Sequence, residues 1–342
     1  MSIPVKNIYY LLLYAWGQFK PGALAAASVD DSPNLPNLLS KVLLIEVQRI
    51  LRRGLDRGYL GQVEETRSPR GRLLFNEMVK RQSLLRGVAV CDIDEFTSNI
   101  LHNQILKTTL IRLAASPEVN SDLKHALFSI TKRMAEVETI RLTPSDFIRI
   151  QLSRNNAHYR LAIRVCELLF CLQLPDSDGS GPRFRNLLDD EQRMRAIFED
   201  FLRNFYRIEL AGFSSASEIM TWAATAMHAP DLDLLPVMKT DITLRSGSRT
   251  IIADAKYYRE ALAGGRFNPK IQSPHLYQLS TYLAHEKLRN AGQPISGILI
   301  YPATRDRMRY RYQLLGFNIL VTSVNLAVDW QSIHAELIDI VQ

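Results

Sequence analysis

Asp241, Asp254 and Lys256 lie in the segment VMKTDITLRSGSRTIIADAKYY, in which two acids and a lysine flank a glycine-centred turn. The turn RSGSR reads as a hairpin reversal about Gly247. A reversal there sets Asp241 opposite Ala253 and beside Asp254, within one residue of register. Side chains alternate along a strand, so Asp254 and Lys256 share one face while Ala253 and Ala255 take the other. Two carboxylates held this close repel, and a hard divalent cation with oxygen ligands relieves the repulsion. Mg²⁺ suits the pair because it keeps several waters and needs few protein oxygens. Such an ion positions a water and polarises a phosphate. Lys256 would hold the attacking water, help deprotonate it, or neutralise charge on the phosphorane. The chemistry expected is hydrolysis of a phosphodiester. An arbitrary D-x-K in a strand is more often a surface salt bridge. Here IIADAK is apolar right up to its charges, as in a buried strand that ends at a site.

Other side chains can join this group. Gln278 and Tyr282 in SPHLYQLSTYLAHEK are one helical turn apart and share a face, from which they could orient Lys256, a metal or a phosphate. Glu199 in IFEDFLRNF is the acid expected to reach the site from an upstream helix, as an outer metal ligand. Asp231 follows a proline in HAPDLDLLP, a loop-like stretch with no strand to aim it at Asp254, so Asp241 is preferred. In TRDRMRYRYQ, a strand would project Arg305, Arg307, Arg309 and Arg311 from one face and Tyr310 and Tyr312 from the other. Such a row could follow a nucleic-acid backbone, since guanidinium forks match phosphate oxygens. It could equally be a solvated edge strand whose charges block aggregation. The seven histidines form no cluster, and neither His228 nor His275 receives a role.

The elements that must position these groups follow from periodicity. Asn7–Trp16 is compact and aromatic, and Leu38–Leu55 is an amphipathic helix. Gln62–Glu77 suits strands and turns, Val88–Ile93 a strand, and Thr97 or Ser98 can cap the helix through LHNQILKTTLIRLAA. Ala135–Ile150 is irregular and Tyr159–Leu174 a buried helix. The stretch PDSDGSGP, 175–182, is a linker or long loop. Beyond it come a helix at Asp189–Leu210, strands at Ile219–Ala224, Val237–Leu244 and Thr250–Ala255, and a helix at Pro274–Arg289. A strand at Ile295–Tyr301 and a β-rich stretch from Tyr310 to Val324 complete the order. These describe an α+β N-terminal domain over 1–174, then an α/β domain over 183–342.

Composition narrows the setting. The 342 residues are 46% hydrophobic and 23% charged, an ordinary globular balance, with a net charge of +7 that favours an acidic partner. Three cysteines without a CxxC or a Cys/His knuckle exclude a disulfide scaffold and argue against structural zinc. A reducing cytoplasm fits best. One lysine before a tyrosine-rich apolar stretch makes a poor secretion signal, and no run is long enough for a membrane span. No GxxxxGK[ST] loop is present, so nucleotide hydrolysis is not expected of this chain.

The Asp-Asp-Lys hairpin followed by Q-x-x-x-Y resembles the PD-(D/E)xK nuclease superfamily, with Thr240 before the first acid and Asp254 for the commoner glutamate. The N-terminal string IPVKNIYYLLLYAWG is more specific and resembles the opening of the McrC family, the nuclease subunits of McrBC modification-dependent restriction systems. TDITLRS, ADAKYY, HLYQLSTYL, GILIYP and GFNILVTSVNL extend that resemblance over essentially the whole chain. It implies a restriction-endonuclease-like C-terminal domain, with Asp241 and Asp254 as metal ligands and Lys256 as the catalytic lysine. It also implies an N-terminal domain that docks on an McrB-type AAA+ GTPase ring and stimulates it. GTP would be bound by that partner, and double-stranded DNA bearing 5-methylcytosine would be cut. Two alternatives remain: a catalytically silent adaptor between a ring NTPase and DNA, and a nuclease of the same fold outside restriction.

Overall fold

The computed structural model describes residues 3–19, 32–174, 179, 181–258, 271–290, 292–304 and 307–342, with backbone alone at 229 and 230. These residues form two compact units, one of Ser32–Arg185 and one joining 3–19 to Asn186–Gln342. The N-terminal helix α1 (Val5–Ala15) thus belongs to the C-terminal unit, which differs from the expected division into 1–174 and 183–342. The reason is its apolar surface: the helix is buried from Asn7 to Tyr14 and finds its core near the other end of the chain. Tyr10 stacks on Trp330 with ring centroids 4.3 Å apart, and the Asn7 amide donates to the carbonyls of Leu326 and Val328 at 2.8 and 2.7 Å. Hydrophobic periodicity shows that such a helix needs a partner but not which one.

The unit Ser32–Arg185 is α+β. It contains α2 (Leu35–Arg53), β1 (Gly58–Thr66), β2 (Arg72–Leu73), α3 (Phe75–Lys80), β3 (Ala89–Thr97) and α4 (Leu101–Ala115). It continues with α5 (Ser121–Lys132), α6 (Pro144–Arg149) and α7 (Arg160–Leu172). The strands pair antiparallel in the order β1-β3-β2. Two expectations need correcting. Thr97 and Ser98 do not cap α4, whose N-cap is Ile100 without a side-chain cap, because Thr97 Oγ1 instead accepts from the Asn99 amide. The stretch Ala135–Ile150 contains α6, nucleated by a capping box between Thr143 and Asp146. Around the expected linker the chain pairs back on itself, with the Leu174 amide donating to the Arg183 carbonyl and the Arg185 amide to that of Leu172. Residues 183–185 therefore stay with this unit, while 175–178 and 180 lie outside the described residues.

The C-terminal unit is a mixed α/β layer structure. Its further elements are α8 (Glu191–Glu209), β4 (Ser214–Ala216), β5 (Ile219–Met220), β6 (Met238–Lys239), β7 (Ile242–Arg245) and β8 (Thr250–Ala255). They are followed by α9 (Ser273–Arg289), β9 (Ile295–Ala303), β10 (Arg309–Leu314), β11 (Phe317–Asn325) and α10 (Trp330–Val341). Six strands pair in the order β10-β11-β9-β8-β7-β4, with β8, β9 and β11 parallel and the rest antiparallel. The strand expected over Ile219–Ala224 shortens to β5, which among the described residues pairs only with β6. The strand expected over Val237–Leu244 breaks into β6 and β7 at Thr240–Asp241. That break places Asp241 between the two strands.

Helices cover both faces of the sheet. Just past β8, Tyr257 meets Phe198 of α8, with centroids 6.2 Å apart, and Tyr258 meets His275 of α9. The Asp190 carboxylate caps α8 by accepting from the Arg193 amide, and Met194, Ile197, Phe198, Phe201, Leu202 and Phe205 form its buried stripe. On the other face Leu279 and Leu283 of α9 press on Ile252, Leu299, Ile319 and Val321. Gly297 makes that approach feasible: a Cβ there would stand 2.8 Å from Leu283 Cδ1 and 3.0 Å from Leu279 Cδ2. No described helix is long and apolar enough to cross a membrane.

Candidate active site

β8 is buried along its whole length, so the charge in its IIADA sequence is desolvated by the fold itself. Ile242 pairs with Ala253, which places Asp241, one residue before β7, abreast of Asp254. The offset from the expected register is one residue. Asp241 Oδ2 accepts from the Ala255 amide at 2.9 Å, and the Asp241 carbonyl accepts from Arg203 Nη1 of α8 at 3.0 Å. The acid at the strand break is thereby fixed from both sides.

Asp254 is fully buried, and neither of its carboxylate oxygens accepts a hydrogen bond. Lys256 Nζ stands 2.8 Å from Oδ2 as an ion-pair contact without hydrogen-bond alignment. Orphaned buried oxygens of this kind are costly in a protein interior. Burial raises the pKa of both acids, and the neighbouring Asp241 charge raises that of Asp254 further. Asp241 has a backbone amide to stabilise its charge and Asp254 has none, so a proton shared by the pair rests on Asp254.

Lys256 is held by α9. Its Nζ donates to Gln278 Oε1 at 2.8 Å, Gln278 Nε2 donates to Tyr282 Oη at 2.9 Å, and Tyr282 donates to the Lys239 carbonyl at 2.9 Å. Of the three targets expected for Gln278 and Tyr282, the lysine is the one that Gln278 meets in this structure. The chain of bonds ends on β6, just before Asp241, and so ties both sides of the site to one helix.

Glu199 comes from α8. Burial pushes its pKa up to about 7, helped by Asp241 and opposed by Lys256. It senses the site electrostatically, yet no three Asp, Glu, His or Cys among the described residues form a preformed metal cage. The two aspartates, with uncommitted oxygens facing a partial excess of negative charge, fit an ion that retains most of its water. Glu199 is outside that inner pair. Asp231 stays exposed on the 3₁₀ turn Ala229–Leu234.

The arginine row is less free than the sequence suggested. Arg305 lies outside the described residues. Arg307 Nε is 2.8 Å from Glu336 Oε1, and Arg309 pairs with Asp339, so α10 neutralises two of the four. Arg311 is exposed on the edge strand β10 with no ion pair among the described residues. Sequence reading also passed over His275, which is buried between two tyrosines: its Nε2 is 2.8 Å from Tyr258 Oη and its Nδ1 2.8 Å from Tyr301 Oη. Its position in the first turn of α9, which carries Gln278, was the available signal.

Comparison with known proteins places the chain. Residues 6–302 match the family described as McrBC 5-methylcytosine restriction system component. The chain is 34% identical over 338 residues to the type IV methyl-directed restriction enzyme EcoKMcrBC of Escherichia coli strain K12, covering 99% of this chain and 97% of that protein. Its fold is similar to a chain in the half-complex of Thermococcus gammatolerans McrB AAA+ hexamers with bound McrC, from a tetradecameric assembly. There the TM-score is 0.55 at 16% identity, over 98% of this chain and 76% of the other.

Proposed function

The chain belongs to the family of McrBC 5-methylcytosine restriction system components, and on that footing we propose that it is the DNA-cleaving subunit of such a system. Its C-terminal unit would be a PD-(D/E)xK nuclease that hydrolyses a DNA phosphodiester with Mg²⁺. The observation that carries this reading is the buried Asp254, whose two oxygens lack hydrogen-bond donors beside Asp241 and Lys256.

Asp241 and Asp254 would hold the ion, with Glu199 reaching it through water. When bound, magnesium supplies a polarised phosphate and a more acidic water. The residues supply alignment. An ammonium has three N–H bonds. Gln278 takes one from Lys256, while Asp254 balances the charge from outside hydrogen-bond alignment, which would leave the remaining N–H bonds to meet the attacking water or a phosphate oxygen. Tyr282 fixes Gln278 in the flip that presents its carbonyl to Lys256, because the tyrosine oxygen accepts from the amide nitrogen. Glu199, whose pKa burial pushes up to about 7, would take up the proton released as water attacks.

The α+β unit would dock on an McrB-type AAA+ GTPase ring, which binds GTP and recognises 5-methylcytosine in double-stranded DNA. The arginines of the 305–311 segment would follow the DNA backbone, with Arg311 ready and Arg307 and Arg309 released from α10 only on binding. The test is cleavage of methylated plasmid with Mg²⁺, GTP and the ring partner, comparing wild type with Lys256→Ala. Loss of cutting with retained stimulation of the GTPase supports the reading. Wild-type chain that stimulates the GTPase but never cuts would make it an adaptor.

A further inference from the structure

Arg195 lies four residues before Glu199 on α8, so the two share a helix face. Its guanidinium carbon is 5.7 Å from the centre of the Tyr258 ring, a cation–π contact. Arg195 is exposed, and no carboxylate among the described residues pairs with it. That distinguishes it from its neighbours on α8, since Arg193 pairs with Asp190 and Arg203 with Asp200. An arginine resting on a ring face keeps its in-plane N–H groups available, the arrangement a phosphate can engage with two oxygens.

The support beneath Arg195 is built rather than incidental. Tyr258 Oη is 2.8 Å from His275 Nε2, and His275 Nδ1 is 2.8 Å from Tyr301 Oη. His275 is 5% exposed, and desolvation with the nearby Lys256 and Arg195 charges pushes its pKa down to about 4. A neutral imidazole has one donor and one acceptor nitrogen, so one tyrosine hydroxyl donates a hydrogen bond to the ring and the other accepts one from it. Both nitrogens are committed, and the histidine acts as a strut that fixes the Tyr258 ring. Lys256 and Arg195 both lie near enough to His275 to act on its charge.

We propose that Arg195 binds a backbone phosphate of the DNA strand beside the one being cleaved, held in place by the Tyr258–His275–Tyr301 chain. This rests on the nuclease reading and deepens it by adding a substrate contact on α8. Arg195 makes the contact, while Tyr258 and His275 are positioning residues that act through it.

The test uses the full chain carrying Asp254→Asn, which would bind a short fluorescent DNA duplex without cutting it. Binding is measured against salt for this parent and with Arg195→Ala, Arg195→Lys or Tyr258→Leu added. Loss of one phosphate contact should lower the slope of log affinity against log salt by about 0.9. Arg195→Ala should show that drop, Arg195→Lys should retain the parental slope, and Tyr258→Leu should weaken binding in the same direction. A merely structural role would not be rescued by lysine. If Arg195→Ala leaves slope and affinity at parental values, or the parent shows no salt-dependent binding, the proposal is overturned. Arg195→Ala and Asp254→Asn are then compared singly in the plasmid assay with the ring partner. Cleavage that needs Asp254 but not Arg195 overturns the phosphate contact and leaves the nuclease reading intact. Absence of wild-type cleavage removes both.

Discussion

Asp254→Asn should abolish cleavage while making the metal-free protein more stable at alkaline pH. The site contains two aspartates for one lysine, one negative charge in excess, and a second when Glu199 ionises. Asparagine removes the excess without stranding Lys256, which keeps Gln278 at 2.8 Å and the attraction of Asp241. It also replaces two orphaned carboxylate oxygens with one neutral amide. Replacing badly compensated buried charge commonly stabilises by about 1–4 kcal/mol. For a unit of this size each kcal/mol shifts Tm by roughly 2–4 °C. The pH dependence has a definite sign. Asp241, Asp254 and Glu199 all have folded pKa values above their unfolded ones, Glu199 at about 7. Their contribution is fully present below the ordinary carboxylate range near pH 4 and is lost as pH rises through the raised values. The stability of wild type in EDTA should therefore fall relative to Asp254→Asn between about pH 4 and pH 7 and stay lower above it. Magnesium should restore wild type by about 2.7 kcal/mol at a hundredfold excess over Kd, and leave the variant unmoved. Calorimetry at pH 5.5 and 8, with EDTA and with Mg²⁺, reads all of this. A variant less stable than wild type at pH 8 in EDTA, or equally stabilised by Mg²⁺, would refute the electrostatic argument.

Gln278→Leu should lower cleavage by about 10–100-fold with little change in DNA binding, as expected when a supporting hydrogen bond to a reactive group is removed. Equal losses in binding and turnover would argue against that role. Tyr282→Phe should act in the same direction but less, since Gln278 keeps its bond to Lys256, and single-turnover rates would rank the two. Gly297→Ala should destabilise by about 1–3 kcal/mol, because its Cβ would enter Leu283 and Leu279 and push α9 from the sheet. An unchanged denaturation midpoint would contradict that packing. Arg311→Ala should flatten the salt dependence of DNA binding more than Arg309→Ala, whose charge Asp339 already balances.

The geometry of the hairpin was legible in the sequence because it is local. Gly247, the alternation through IIADAK and the four-residue spacing of Gln278 and Tyr282 are all short-range patterns, and they put the acids within one residue of their register. Asp241 itself marks the strand break that the apolar pattern through Val237–Leu244 conceals, since Thr240 and Thr243 satisfy each other's hydroxyls inside what reads as one strand. What could not be read is long-range. The α1 helix meets Trp330 and Leu326 across more than three hundred residues, and nothing in IYYLLLYAWG says which core it enters. Two arginines of the row, Arg307 and Arg309, are engaged for the same reason: Glu336 and Asp339 face them from α10, an element whose position no local pattern gives. His275 received no role because its place in the first turn of α9 does not say what it meets, and only the fold brings Tyr258 and Tyr301 to its two nitrogens.

The most direct measurement is cleavage of 5-methylcytosine-containing plasmid by the chain with its ring partner, GTP and Mg²⁺, for wild type, Asp254→Ala and Lys256→Ala. Cutting by wild type alone, with GTPase stimulation preserved in all three, is the expected result. Cutting that persists in both variants would show that Asp254 and Lys256 are not the catalytic centre.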